Sequence, residues 1–291
     1  MKRVGLLLAL AACGDSGPAE QAGPSGPPTV HVVNYPLKYF AERIGGEEVR
    51  VVFPEIEGDP AFWKPDGDAI AAIQGADLIL LNGAGYAGWV RHASLPETRC
   101  VLTSEAFAKD FIKIEGAGTH AHGPAGVHAH GGIAFTTWLD PTQAIAQADA
   151  IRAALLRRWP GGGFEGRFAA LRADLLDLAR RLRAVVPQGP GVASHPVYQY
   201  LARRYGLNLR SVHWEPDEAP GADGWAELRT ILKEHPARWM LWEGEPLAET
   251  ARKLEELGVK SIVFDPCGNT PAEGDFLTVM HQNVAALAAA D

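Results

Sequence analysis

Apolar positions along the chain come in two rhythms. Short aliphatic or β-branched runs fall at residues 29–33, 49–53, 77–81 and 100–102, and three- and four-residue spacings fill residues 34–44 and 66–74. The 77–81 run is too apolar for a half-exposed strand, as expected of a strand covered on both faces of a parallel sheet. Gly45-Gly46 stops the first helix, and Asn82-Gly83-Ala84-Gly85 turns the chain. The same grammar returns later, with strands expected at 191–194, 207–212, 239–242 and 261–264. Helices are expected there at 196–205, 222–235, 246–257 and 273–289. Between the halves, residues 142–158 carry Ile145, Ala148, Ile151, Leu155 and Leu156 at helical spacing. After a break at Trp159-Pro160-Gly161-Gly162-Gly163, residues 164–186 carry Phe168, Leu171, Leu175, Leu178, Leu182 and Val185. The pattern predicts an α/β fold of two Rossmann-like lobes with parallel sheets, joined by a long spine helix, with a ligand cleft between the lobes. The expected bounds are 29–140 and 188–291 for the lobes and 141–187 for the helical spine. The repeat is architectural, with no visible repeat of sequence.

The first 28 residues follow neither rhythm. Lys2 and Arg3 precede an apolar stretch at 4–10, and Leu10-Ala11-Ala12-Cys13 resembles a bacterial lipobox. The expectation is a signal peptide at 1–12, a lipid on Cys13 and a Gly/Pro/Ser/Ala linker to residue 28. A plain secretory signal with a chance cysteine is the alternative. The chain would then be a periplasmic or cell-surface lipoprotein held to the membrane by its anchor. A formal net charge of −8 argues against a nucleic-acid partner. No internal run is long and apolar enough to span a bilayer. Cys100 and Cys267 fall in different halves, so no bridge between them is expected, and the chain is expected to be a monomer.

Parallel sheets bind ligands beyond the carboxyl ends of their strands. In the first half that rule selects Asn34, Tyr35, the 54–65 loop and Asn82, with the aromatics Tyr35, Phe62, Trp63 and Trp138 nearby. In the second half it selects His195, His213-Trp214-Glu215, Glu243 and Asp265-Pro266-Cys267. Those are imidazoles, carboxylates and a thiol, the donors that metals use. Read singly, His195 and Asp265 are also ordinary helix-capping or turn residues, and Cys267 an ordinary small buried one. Trp63, Trp138 and Trp214 read either as core or as the walls of a cleft for a flat ligand.

A separate concentration lies at 118–132, where His120, His122, His128 and His130 place four of the ten histidines within eleven residues. Each pair is spaced HxH in a Gly/Pro/Ala setting. In an extended segment such a pair faces one side and can grip one ion. Imidazoles suit Zn2+, and Cu2+ or Ni2+ less selectively.

With these residues in view, the chain resembles the zinc- and manganese-binding solute-binding proteins of ABC importers. The likeness rests on Tyr35-Pro36, Ile44-Gly45-Gly46, the stretch from Ala76 to Gly85, Trp138-Leu139-Asp140-Pro141, Ser194-His195, Tyr205-Gly206-Leu207 and Phe264-Asp265-Pro266. The resemblance implies two α/β lobes joined by one long helix, an ion bound between them, and His195 and Asp265 as ligands. It also implies a histidine-rich loop just ahead of the Trp-Leu-Asp-Pro motif. Two departures stand out. A first histidine expected within an Asp-Pro-His-x-x-x-Pro motif is replaced by Ala61 after Asp59-Pro60, and a second, two residues before Trp138, is replaced by Thr136. Neither residue donates to zinc as imidazole does, and Lys64 nearby would repel a cation.

The expectation is therefore a non-enzymatic carrier of zinc (alternatively Mn2+, Cu2+ or Ni2+) that serves the membrane permease of an ABC importer through a diverged cleft site. Rebuilding of that site would draw on His120, His122, His128 and His130, or on His213, Glu215, Glu243 or Cys267. Two other readings stay open: a periplasmic zinc chaperone or sensor using the histidine-rich loop, and a binder of a non-metal or metal-chelate ligand in an aromatic cleft.

Overall fold

The computed structural model describes residues 26–114, 119–122, 126–129 and 132–289. Two four-stranded sheets dominate. The first contains β1 (Thr29–Val32), β2 (Arg50–Val52), β3 (Leu78–Leu81) and β4 (Cys100–Leu102), in the order β2-β1-β3-β4. Chain order continues through β5 (Lys113–Ile114), β6 (Thr119–His122), β7 (Gly126–Ala129) and β8 (Gly132–Ile133), which form two small antiparallel ribbons, β5 with β8 and β6 with β7. The second large sheet contains β9 (Pro190–Ala193), β10 (Asn208–Ser211), β11 (Trp239–Trp242) and β12 (Lys260–Val263), in the order β10-β9-β11-β12. Every pairing within the two large sheets is parallel. The two sheets share one strand order, so the repeat read from the sequence extends to topology. Central β3 and β11 are buried at all four positions, as apolar runs covered on both faces must be.

The helices begin where side chains can satisfy the first free backbone N–H groups. Asn34 caps α1 (Tyr35–Gly45), accepting from Leu37 N at 3.1 Å. Asp66 caps α2 (Gly67–Gln74), and Asp140 caps α3 (Pro141–Arg158), with Pro141 in the first turn where its missing N–H costs nothing. After the Pro-Gly break, α4 (Phe164–Val185) runs for 22 residues, roughly 33 Å. It packs on α1 and α3 and also on α8 (Phe276–Ala288) of the second half. The second half also holds α5 (Gln199–Tyr205), α6 (Ala222–Glu234) and α7 (Ala248–Glu256). Three of its helices start later than the periodicity predicts. Residues 196–198 turn before α5, α7 begins only after Leu247, and α8 waits for the Asp275 cap behind Gly274, whose φ is +74°.

One continuous apolar core contains residues of both sheets, both central helices and α8, among them Leu80, Leu171, Leu175, Leu241, Phe264 and Phe276. A second cluster around Trp214, Trp225 and Trp242 covers the second sheet. Polar bonds stitch the halves across the strand ends. Tyr35 N donates to Gly268 O (3.0 Å), Trp138 Nε1 to Pro266 O (2.7 Å) and Tyr200 Oη to Ala134 O (2.8 Å). Asn269 Nδ2 donates to the carbonyls of Ile56 and Gly58. Under the first sheet's strand ends lies a buried polar network. Gln147 of α3 donates to Asn82 Oδ1 and Thr103 Oγ1 and accepts from Thr137 Oγ1, each at 3.0 Å, and Asn82 Nδ2 reaches Phe135 O. No described helix is long and apolar enough to cross a membrane.

Candidate metal centre

The carboxyl ends of both large sheets turn toward one another, and the loops that leave them enclose a cavity of about 140 Å³. It is lined by Asp59 and Thr136 from the first half and by Glu243 and Asp265 from the second. His195 lines a small pocket that shares Asp59 and Thr136 with it.

His195 follows β9 and is 6 % exposed. Its Nδ1 lies 3.2 Å from Glu243 Oε1, at the end of neighbouring β11, and its ring meets His213 edge-on at 5.5 Å. Burial alone would lower the imidazole's pKa. The Glu243 hydrogen bond and charge, with Glu215 and Asp59 beyond, outweigh burial and leave it raised. Such an imidazole–carboxylate pair orients the ring and presents its other nitrogen, Nε2, as a donor. Asp265 is held by its backbone: its N–H donates to Asn283 Oδ1 (3.0 Å), and Asn283 Nδ2 donates to its carbonyl (2.7 Å). Its carboxylate accepts from Cys267 N at 2.6 Å. Burial pushes the carboxyl up, against that bond, and Glu243 adds to the rise.

Asp59 is the cleft residue that strand-end reasoning did not single out. It caps the 3-10 turn Pro60–Phe62, accepting from Ala61 N at 2.8 Å. Its surface is open, but it opens onto the walled space between the halves. Crowding by protein there pushes its carboxyl up to about 6. The Ala61 bond and His195 oppose the rise, while Glu243 and Glu215 add to it. The signal was available, since Asp59 sits in the long loop after β2.

The remaining candidates scatter. Thr136 spends its hydroxyl on Val197 O. Ala61 is buried, and beside it Lys64 is exposed. Cys267 is a free, buried cysteine with φ +56°, and burial, then Asp265 and Asp275, push its thiol far up, which disfavours the thiolate a metal needs. Glu215 and His213 leave β10 beside a larger acidic hollow with Glu218, Asp223 and Glu227. Trp138 is buried with its N–H on Pro266, and Trp214 stacks into the second core cluster against Trp225 at 4.9 Å. Trp63 packs edge-on against Trp89 at 6.0 Å and is absent from the lining of both cleft pockets. The β6–β7 ribbon places positions 120 and 128 directly opposite each other and position 122 opposite 126. His130 and Cys13 lie outside the described residues.

As they stand, no three His, Cys, Asp or Glu side chains among the described residues are close enough together to hold an ion. What the cleft offers is one oriented imidazole and three carboxylates around a shared space. That donor set suits a divalent cation, with more oxygen character than a zinc site built on three histidines.

Comparison with known proteins agrees with this architecture. Zinc-binding lipoprotein AdcA of Streptococcus pneumoniae is 28% identical over 313 residues, which cover 99% of this chain and 60% of that protein. This chain therefore spans about 60% of the length of that relative. High-affinity zinc uptake system protein ZnuA of Bacillus subtilis is 28% identical over 300 residues, covering 96% of this chain and 93% of the relative. Among solved structures, the Zn(II)-bound ZnuA-like domain of S. pneumoniae AdcA superposes with a TM-score of 0.74 at 24% identity, over 91% of this chain and 98% of that one. The metal-dependent lipoprotein YcdH of B. subtilis gives 0.73 at 25% identity, over 90% and 98%. Residues 30–290 match the family described as zinc-uptake complex component A, periplasmic, and the chain belongs to that family.

Proposed function

We propose that this protein captures zinc outside the cytoplasm and passes it to the membrane permease of an ABC importer, held near the membrane by a lipid on Cys13 and the linker to residue 28. The ion is cargo, and the protein performs no reaction on it. The observation that carries the reading is that Glu243, paired with His195, lines one cavity with Asp265 and Asp59 while His195 lines the adjoining pocket with Asp59, in a chain matched to the zinc-uptake family from residue 30 to 290. Neutral His195 supplies Nε2, and Asp265 and Asp59 supply oxygens. Glu243 either orients His195 or turns into the coordination sphere. With Ala61 and Thr136 in place of two imidazoles, the cleft binds zinc less tightly than a three-histidine site and tolerates Mn2+ better.

A second reading makes the histidine ribbon the principal site and the protein a chaperone or sensor. Its support is that strand pairing sets positions 120 and 128, both histidines in the sequence, opposite each other, whereas no three donors among the described residues come close enough to hold an ion. Calorimetric zinc titration of the mature chain, of a variant lacking residues 116–131, and of His195→Ala/Asp265→Asn separates the two. Loss of the tightest site in the double variant alone supports the cleft. Its loss in the deletion alone overturns the cleft reading.

A further inference from the structure

Beside the cleft, with Ala61 in its wall, the first half holds a larger cavity of about 630 Å³. Its size is that of pockets that accept small organic molecules. Its walls are aromatic. Trp63 and Trp89 pack edge-to-face at 6.0 Å and 86°, and Phe62 and Phe135 do so at 6.2 Å and 75°. Both indoles are half-buried, so each keeps ring surface open to an occupant. The charged groups among the described residues at this cavity are Lys64 and Arg91, with His92 beside them, and none of the described lining residues is acidic. In a chain of net charge −8 that is a local reversal of sign. Lys64 and Arg91 are exposed, and neither makes an ion pair with a described residue.

The backbone on one side is also unusual. Ala84 and Ala87 hold left-handed φ values of +53° and +55°, and Ala84 lines the cavity with Gly85. Non-glycine residues in that region store strain that a surrounding structure must support. The side chains at 61, 84 and 85 are small and take up little of this space. A divalent cation is a poor occupant here, because two positive charges line the space and no described lining residue is a carboxylate. Aromatic walls with a guanidinium and an ammonium at the mouth match a flat ring that carries an anionic group: the ring stacks on indole, and the anion takes charge-assisted hydrogen bonds.

We infer that the cavity between Trp63, Trp89 and Phe135 is a second ligand site, separate from the metal cleft, that takes a planar aromatic carboxylate. The probe is 2-naphthoate, titrated calorimetrically into the full-length mature chain without added metal. 2-Naphthylmethylammonium serves as the control of like shape and opposite charge. The expected result is saturable one-to-one binding of the carboxylate that weakens with salt and is at least ten times tighter than any binding of the ammonium. Lys64→Ala/Arg91→Ala, which changes only exposed side chains, should weaken it by about tenfold. Trp89→Ala should weaken it as well. The inference is overturned if the carboxylate does not saturate the protein. It is equally overturned if both probes bind alike, or if the double variant, with unaltered circular dichroism, binds as the parent does. Zinc titration of the same samples is independent, so failure here leaves the carrier reading standing, and failure there leaves this one.

Discussion

His31 sits in the middle of β1, 5 % exposed, between two parallel neighbours. Burial lowers its pKa to about 4 from an ordinary 6.5. Folding therefore demands a neutral imidazole, while the unfolded chain takes up a proton below pH 6.5. The contribution is intact above 6.5 and falls away as pH drops toward 4, by on the order of 3 kcal/mol in all. His31→Val should give a shallower loss of stability between pH 6.5 and 4 in denaturant melts, and parallel curves for parent and variant would refute this. At the cleft, Glu243→Gln keeps a hydrogen-bond acceptor for His195 but removes the charge. Zinc affinity should fall about tenfold by competition with a chromophoric chelator, and an unchanged affinity would remove Glu243 from the site. Residue identity made His195, Glu243 and Asp265 legible, because each falls within two residues of a strand's end and the strand-end rule needs no contacts. Asp59 was harder to see, since its place depends on how a twelve-residue loop folds back. The partnership of Trp63 with Trp89 is a contact across 26 positions that no local pattern encodes.

The elements themselves were the most legible part. Aliphatic runs, capping Asn and Asp residues and glycine stops marked all eight main strands, and errors stayed at helix starts, where Pro196 and Pro246 suggested first turns but the helices begin only at Gln199 and Ala248. What pattern could not convey is how α3 fastens the first sheet. Gln147 is wholly buried and satisfies Asn82, Thr103 and Thr137 at once. Gln147→Leu takes one bond from each of Asn82 and Thr103, which keep bonds to Asn34 and Leu81, and removes the partner of the Thr137 hydroxyl; it should cost about 2–4 kcal/mol in calorimetric unfolding. A loss no larger than that of a surface substitution would show the network to be dispensable. Leu175, buried on α4 in the core shared by both halves, should cost about 2–5 kcal/mol as Leu175→Ala. The melt should stay a single transition, because α4 contacts elements of both halves. Two separated transitions would mean that the halves fold independently.

At the scale of the molecule, sequence periodicity foresaw two sheets and a helical connection, but not that the halves share one core. That core lies at the meeting of α1, α3, α4 and α8, and its continuity depends on packing between residues more than a hundred positions apart. A shared core leaves little room for domain motion. Adding zinc should change the radius of gyration by no more than about 1 Å in small-angle scattering, and a contraction of several ångströms would contradict the fused arrangement.

On the proposed carrier function, the bonds that cross the strand ends, from Trp138 to Pro266, Tyr35 to Gly268 and Asn269 to the 56–58 loop, bear on how cargo would leave. A carrier that swings open can time its delivery by a hinge, and its residence time is then a property of the protein's shape. A carrier whose halves are stitched at the mouth of the site lacks that clock. Its residence time is set by metal–ligand bonds broken one after another, and the receiving protein has to hasten the exchange by offering donors of its own. Delivery becomes substitution chemistry at an ion, with the carrier as the leaving group.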